Sequence, residues 1–503
     1  MTYDELLDLF LSKSKSLLIS PAGYGKTYTI VECVKKAPDK SLVLTHTHAG
    51  IAAIKKKLLS ADVPKDKYQV ETITSYAQKY VKSFYTGEIP PINEANYWQF
   101  VLGKAEQIFK ISHIKKIIKA SYKNIFIDEY QDCTISQHKM ILALADILPT
   151  HILGDPLQGI MEFDEKLVDF SNDLNNFEVV PELETPHRWY QTGNNRQLGD
   201  FIKEVRAKLI SNEPQCIHLD EIPKDIATFV KTNDELYDKA FITNPQNYYK
   251  RCLIKLINNP NHNPLLDSLL ILIPEYYIRD RQRGNITDRV HLKNRIDFNH
   301  QLELLEAIDN KDFYNLAKDI DTIISSIHNA RLPVKKIKEK VFVKLFNKTD
   351  INVWLNDNTV KNKRKPEEKQ KSDKLKDLLS NFIDIPTPKA LYFLLKFLKD
   401  NLKLKNQRYS LLKSVLDCLY IENTESVYKA MIHQRNRIRR LGRKVDGKCL
   451  GTTALTKGLE FDTVAILDAH NFTSPKDLYV ALTRASKKLI IFSKNSTLTP
   501  TYT

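Results

Sequence analysis

Two short stretches of this chain carry residue types that could do phosphate chemistry. Ile125-Phe126-Ile127-Asp128-Glu129 reads as a buried strand ending in paired carboxylates. Open α/β sheets bind ligands at the carboxyl ends of their strands. There Asp128 could hold Mg²⁺ through water while Glu129 orients an attacking water. Taken alone, the pair is equally an acidic surface turn. Upstream, the apolar run 16–20 leads into Pro21-Ala22-Gly23-Tyr24-Gly25-Lys26-Thr27 and then a helical segment, 28–36. Strand, glycine loop, Lys-Thr and helix together form the setting of a phosphate loop. Gly23 and Gly25 let the loop's backbone, Ala22 and Tyr24 included, turn its amides inward around a phosphate, and the helix dipole adds to the attraction. Lys26 would reach the β- and γ-phosphates and the Thr27 hydroxyl would ligate Mg²⁺. Ser20 stands where the general pattern has glycine.

These residues need strands to present them and helices to cover the sheet. Strands are expected at 16–20, 41–45, 125–127, 151–153 and 177–183, with helices at 2–11 and 135–148. With 503 residues the chain is too long for one core. Its 42% hydrophobic and 27% charged residues describe an ordinary globular protein. No apolar run reaches the length of a membrane span, and the acidic start Met1-Thr2-Tyr3-Asp4-Glu5 lacks a signal-peptide pattern. Six cysteines without CxxC spacing imply neither zinc nor a disulfide framework and fit a reducing cytoplasm. Lys+Arg number 76 against 61 Asp+Glu, a net charge of +15 that suits a polyanion such as nucleic acid.

Further strand ends repeat the polar signature. Thr45-His46-Thr47-His48 has two histidines but no third ligand nearby, so hydroxyl contacts to phosphate or base fit it better than metal. Gly154-Asp155 is followed by Gln158. Near the end of the chain come Lys457-Gly458-Leu459-Glu460-Phe461-Asp462 and Leu478-Tyr479-Val480-Ala481-Leu482-Thr483-Arg484-Ala485. With Asp128-Glu129-Tyr130-Gln131-Asp132, these stretches resemble, in order, the motifs of UvrD-like superfamily 1 DNA helicases. The resemblance implies an α/β fold of two RecA-like P-loop lobes with parallel sheets, plus helical insertions, a small 1B and a larger 2B. Lobe 1A would comprise 1–80 and 117–175, 1B 81–116, lobe 2A 176–258 and 445–503, and 2B 259–444.

It also implies roles. Gln158 would sense the γ-phosphate, and Arg188 and Arg484 would approach it from the second lobe, completing a catalytic set with Glu129. His187 stands where a tyrosine usually stacks on adenine, and Gly458 and Glu460 belong to the nucleotide site, Glu460 at the ribose. DNA would meet His46, Thr47, Thr72, Thr74, Ser75, Phe163 and Thr452. Departures are His46 and His187 for aromatics, Met161 and Glu162 for Tyr and Arg, and Ala454 for His. The adenine-reading glutamine upstream of the phosphate loop has no counterpart in residues 1–20.

Three further stretches are read from composition. Aromatics in 81–118 are assigned to a local core. Residues 360–376 read as a polar, mobile loop. The cluster Arg435–Lys444 could grip phosphates or be a solvated face. The expected activity is ATP- and Mg²⁺-dependent translocation on DNA, 3′→5′ by resemblance. A second reading is a DNA-sensing ATPase that controls a nuclease partner, as in anti-phage systems such as Gabija with its OLD-family nuclease.

Overall fold

The computed structural model describes residues 1–91, 96–160, 165–192, 195–211, 215–222, 227–231, 268–273, 302–305, 311–325, 333–402, 409–420, 426–431 and 447–501. They fall into two compact units. The first contains Met1–Thr232, Arg439–Lys444 and Thr456–Thr503, and the second Asn233–Ile438 and Val445–Leu455.

In the first unit, helix α1 (Tyr3–Ser12) precedes strand β1 (Lys15–Ile19), α2 (Lys26–Lys36), β2 (Ser41–Thr45) and α3 (His48–Ser60). Then follow β3 (Tyr68–Thr72), α4 (Ile73–Phe84), α5 (Tyr97–Phe109), α6 (Ser112–Ser121), β4 (Asn124–Ile127), α7 (Ile135–Ala145), β5 (Thr150–Gly154), β6 (Glu178–Val180) and α8 (Arg196–Ile210). The six strands form one sheet in the order β3-β2-β4-β5-β1-β6. Every pairing in it is parallel. This mixed α/β architecture with parallel strands is the expected fold class. Strands β1, β5 and β4 are neighbours, so the phosphate loop, Asp155 and the Asp128-Glu129 pair emerge side by side from one sheet edge. Central strands β2 and β5 are buried at every position, as befits a sheet covered on both faces.

Threonines start the helices. Thr2, Thr47, Thr72 and Thr134 each accept a backbone amide of the first turn of α1, α3, α4 and α7. A cap of this kind contributes about 1 kcal/mol. Residues 97–121 form two helices, and Tyr97, Val101 and Phe109 join the core that also holds Tyr76, Tyr80 and the sheet residues Ile125 and Ile127. Trp98 is exposed. Three more strands of this unit, Phe461–Ile466, Ala485–Ser493 and Ala227–Lys231, pair in parallel around Ala485–Ser493.

The second unit holds the parallel strands Leu269–Ile273 and Glu303–Leu304 on either side of Lys448–Thr452. Its helices pack Leu316, Phe342, Phe382, Leu394 and Val415 into a core of their own. One expectation is corrected here. Residues 360–376 are not a loop along their length, because Pro366–Asp384 is a single helix with Glu367 and Glu368 in its first turn. Its lysines lie on a helix whose apolar stripe, Leu375, Leu379 and Phe382, is buried. Ser372 Oγ ties it to the Lys361 carbonyl at 2.7 Å. Among the described residues no helix is long and apolar enough to cross a membrane. Residues 161–164, 240–244 and 435–444, which include Phe163, lie outside the described residues.

Candidate nucleotide site

The phosphate loop leaves β1 and turns through Gly23 at φ +78° and Gly25 at φ +97°, a backbone open at little cost to glycine alone. Gly25 is the N-cap of α2 and supplies no side-chain cap, so the first-turn amides remain available to an anion. Lys26, the first residue of α2, is buried, and its Nζ lies 3.0 Å from Glu129 Oε2. Burial works against the charged ammonium, but Glu129, Asp155 and Asp128 outweigh it and raise its pKa.

Glu129 sits at φ +56°, one of three non-glycine residues with positive φ among those described. Such a conformation in a non-glycine residue costs on the order of 1–3 kcal/mol, and here it directs the carboxylate to Lys26. Burial opposes ionisation of Glu129, yet the Lys26 and Lys457 ammoniums dominate and hold its pKa below the ordinary range. Burial and then the Glu129 charge push Asp128 the other way. Asp128 is thus a buried carboxylate with insufficient positive charge around it. The hard oxygens of Asp128 and the Thr27 hydroxyl suit Mg²⁺, and these two residues would hold it.

Gln131 closes the carboxylate turn. Its Nε2 donates to Glu129, and its Oε1 accepts the Asp155 amide at 3.0 Å. Asp155 is fully buried and accepts from Gln158 Nε2 at 2.8 Å and from Arg206 Nη1 at 2.8 Å. The Arg206 guanidinium lies 5.8 Å from the centre of the Tyr479 ring, and the Tyr479 hydroxyl accepts the Ala22 amide of the phosphate loop at 3.3 Å. Lys457 reaches Asp132 and the Gln158 carbonyl.

Both expected arginines lie in the same unit as the phosphate loop. Arg188 donates from Nη1 to the Thr483 carbonyl at 2.6 Å and from Nη2 to Glu460. Its neighbour Trp189 is fully buried and donates to the Ala485 carbonyl at 2.7 Å. Arg484 is buried and donates to the Val480 carbonyl at 2.9 Å, the Leu459 carbonyl at 3.1 Å and Thr483 Oγ1 at 3.0 Å. Burial, and next the Arg188 charge, lower its pKa to about 10. His187 flanks the loop, its Cδ2 lying 3.7 Å from where a Cβ on Gly25 would stand. Gly458, at φ +78°, has open space where a Cβ would be.

Residues 5–164 match the family described as an AAA domain, and residues 347–493 match the viral superfamily 1 RNA helicase core domain. The match to a superfamily 1 helicase core thus lies in residues 347–493. No curated protein matches it in sequence. Among solved structures, the Pif1 helicase from Candida albicans is 11% identical with a TM-score of 0.40, covering 100% of this chain and 97% of that one. An arterivirus nonstructural protein 10 helicase in complex with DNA is 16% identical with a TM-score of 0.25, covering 46% and 47% respectively. The PRRSV helicase is 11% identical with a TM-score of 0.34, covering 98% and 54%. The chain therefore spans about half the length of the two viral helicases.

The residues expected to meet nucleic acid are more dispersed. His46 is half-buried, its Nε2 3.6 Å from Cys133 Sγ. Thr47 and Thr72 act as helix caps, and Thr72 also bonds Ser75 Oγ at 2.7 Å and meets Thr74 Oγ1 at 3.4 Å. Thr452 ends a strand of the second unit and is buried. Sequence reasoning named neither Gln131, Trp189, Arg206 nor Tyr479 as site residues. Gln131 and Tyr479 lay inside quoted motifs, while Arg206 had no motif to flag it.

Proposed function

We propose that this protein is an ATP-dependent DNA helicase or translocase of the UvrD-like type, moving 3′→5′ on single-stranded DNA. In this reading the chain has two RecA-like lobes with a small 1B and a larger 2B insertion. The observation that carries it is the 3.0 Å contact between Lys26 and Glu129. It brings a phosphate-binding cation to the carboxylate that would orient water, at the mouth of an uncapped helix. A triphosphate would draw Lys26 onto its β- and γ-oxygens and leave Glu129 free to accept from water. Mg²⁺, when bound, would neutralise the phosphate oxygens. Gln158, hydrogen-bonded to Asp155, would exchange that partner for the γ-phosphate. Arg188 and Arg484 would meet charge developing on the transferred group after giving up backbone carbonyls, which makes them sensitive to closure. The +15 net charge supports a nucleic-acid track.

A regulatory DNA-dependent ATPase acting on a nuclease, for instance one of the OLD family, is the second reading. It is favoured by the half-buried His46, whose ring leans on Cys133 where a base-stacking aromatic is expected. ATP hydrolysis with and without single-stranded DNA tests the common core. Strong stimulation is expected in the wild type and near-complete loss in Lys26→Ala and Arg484→Ala; equal rates with and without DNA would refute a motor. Strand displacement by the purified chain separates the two readings, since the regulator would hydrolyse ATP without unwinding.

A further inference from the structure

We propose that Arg206 is a positioning residue of the nucleotide site, holding Gln158 in place through Asp155 and the phosphate loop in place through Tyr479. Binding of the phosphates and the response to the terminal one would then be set together by a cation that belongs to no motif. This rests on the nucleotide-hydrolase reading above and adds a residue to it.

The first sign is where the arginine stands. The buried positions of α8 are Leu198, Gly199, Ile202, Val205, Arg206 and Leu209, and Arg206 alone among them is charged. A leucine or methionine would fill that place without electrostatic cost, whereas a buried guanidinium is tolerated only with good pairing and hydrogen bonds. Burial does oppose the charge here, and Asp155 leads the groups that outweigh it and raise the pKa of Arg206.

One side of the guanidinium serves Gln158. Nη1 donates to Asp155 Oδ1 at 2.8 Å, and Nη2 reaches the more exposed Glu182 at 3.5 Å. Asp155 also accepts the Leu157 amide at 3.2 Å and Gln158 Nε2 at 2.8 Å. If Gln158 turns to a γ-phosphate, Asp155 keeps the arginine and the Leu157 amide, so no buried charge is left unpaired. Arg206 thereby lowers the cost of that exchange and fixes the post from which Gln158 moves.

The other side serves the loop. The guanidinium lies over the fully buried Tyr479 ring at 5.8 Å, within the range of a cation–π contact. The Tyr479 hydroxyl accepts the Ala22 amide at 3.3 Å, close to where the loop leaves β1 and the Ser20 amide meets the Gly154 carbonyl at 3.0 Å. Tyr24, at the crown of the loop and itself buried, also lies in the field of the Arg206 charge.

Steady-state ATP hydrolysis by the full chain with saturating single-stranded DNA tests this, with urea unfolding of the same samples. Arg206→Lys keeps a charge for Asp155 but loses the planar fork that spans Asp155 and the Tyr479 ring. It should lower kcat by about ten-fold and raise KM by about five-fold. Tyr479→Phe keeps the ring and removes only the acceptor for Ala22, so KM should rise by about five-fold with kcat little changed. A purely structural ion pair would move the urea midpoint and neither kinetic constant. Wild-type kinetics in Arg206→Lys would therefore overturn the proposal, whatever its midpoint. An unchanged KM in Tyr479→Phe would overturn it too, and that result stands even where Arg206→Lys does not fold. Absence of ATP hydrolysis by the wild type would instead remove the hydrolase reading, and the positioning role with it.

Discussion

The Arg188 backbone amide donates to the Gly23 carbonyl at 3.0 Å, and a Cβ on Gly23 would stand 2.9 Å from Arg188 Cβ and 3.0 Å from the Trp189 ring. The phosphate loop is therefore in direct contact with the segment that carries an expected catalytic arginine. Gly23→Ala must add a methyl where the Arg188 Cβ and the buried Trp189 ring already stand, at a φ of +78°. Gly458 has the same φ but open space around it, so Gly458→Ala should cost only the backbone term, about 1 kcal/mol. Chemical denaturation of the two variants should rank Gly23→Ala clearly less stable, and nucleotide affinity should fall at least ten-fold in it alone. Equal stabilities would show that the Arg188 segment yields freely.

Gln131 holds the Glu129 carboxylate with one end and the Asp155 amide with the other. It touches no reacting atom in the proposed scheme, so it is a positioning residue. Gln131→Ala should lower kcat by about 10- to 100-fold, because small losses of alignment at the water-orienting carboxylate are expensive. KM should change little. A matched rise in KM would mean that Gln131 supports the phosphate loop instead.

How much of this was legible beforehand depended on range. The glycine loop, Lys26, Asp128 and Glu129 are local patterns at strand ends, and neighbouring β1, β5 and β4 bring them together as expected. Trp189 reads in sequence as one more aromatic, and only contact with Ala485 reveals that it joins two distant segments. Arg206 is a cation on an amphipathic helix until the fold seats it on a buried carboxylate. The misread stretch 360–376 failed for a related reason: its charge is dense, and its apolar stripe becomes visible only from Leu375 onward. Helix caps were the opposite case. Thr47 and Thr72 cap α3 and α4, a role the motif pattern does not announce because capping and phosphate binding use the same hydroxyl.

Asp155 and Arg206 form an ion pair with side chains 0% and 6% exposed. Removing one partner of such a pair strands a buried charge, at a cost of about 3–5 kcal/mol. Arg206→Met should show that loss in urea unfolding. Adding Asp155→Asn should recover part of it, because the amide can still accept from Leu157 and needs no counter-ion. Simple additivity of the two would show that the pair is not coupled in the folded state.

His151 sets a pH limit on the first unit. It is fully buried between Phe10 and Phe126, with ring centres 5.1 and 5.2 Å away, and its Nδ1 meets Ser16 Oγ at 2.7 Å. Its Nε2 has no hydrogen-bond partner among the described residues. Protonation would bury a positive charge in an apolar layer, and burial, offset only in part by the Phe10 backbone, lowers the pKa to about 4. The unfolded chain, with a pKa near 6.5, takes up the proton first. The stabilising contribution is therefore complete above about pH 6.5 and declines as pH falls towards 4. Between neutral pH and pH 5 it should amount to about 2 kcal/mol, read as a drop in urea midpoint. His151→Leu should remove that part of the slope whatever its effect at neutral pH. An unaltered slope would mean that carboxylates alone govern acid sensitivity and that His151 takes up its proton as readily in the folded protein as in the unfolded chain.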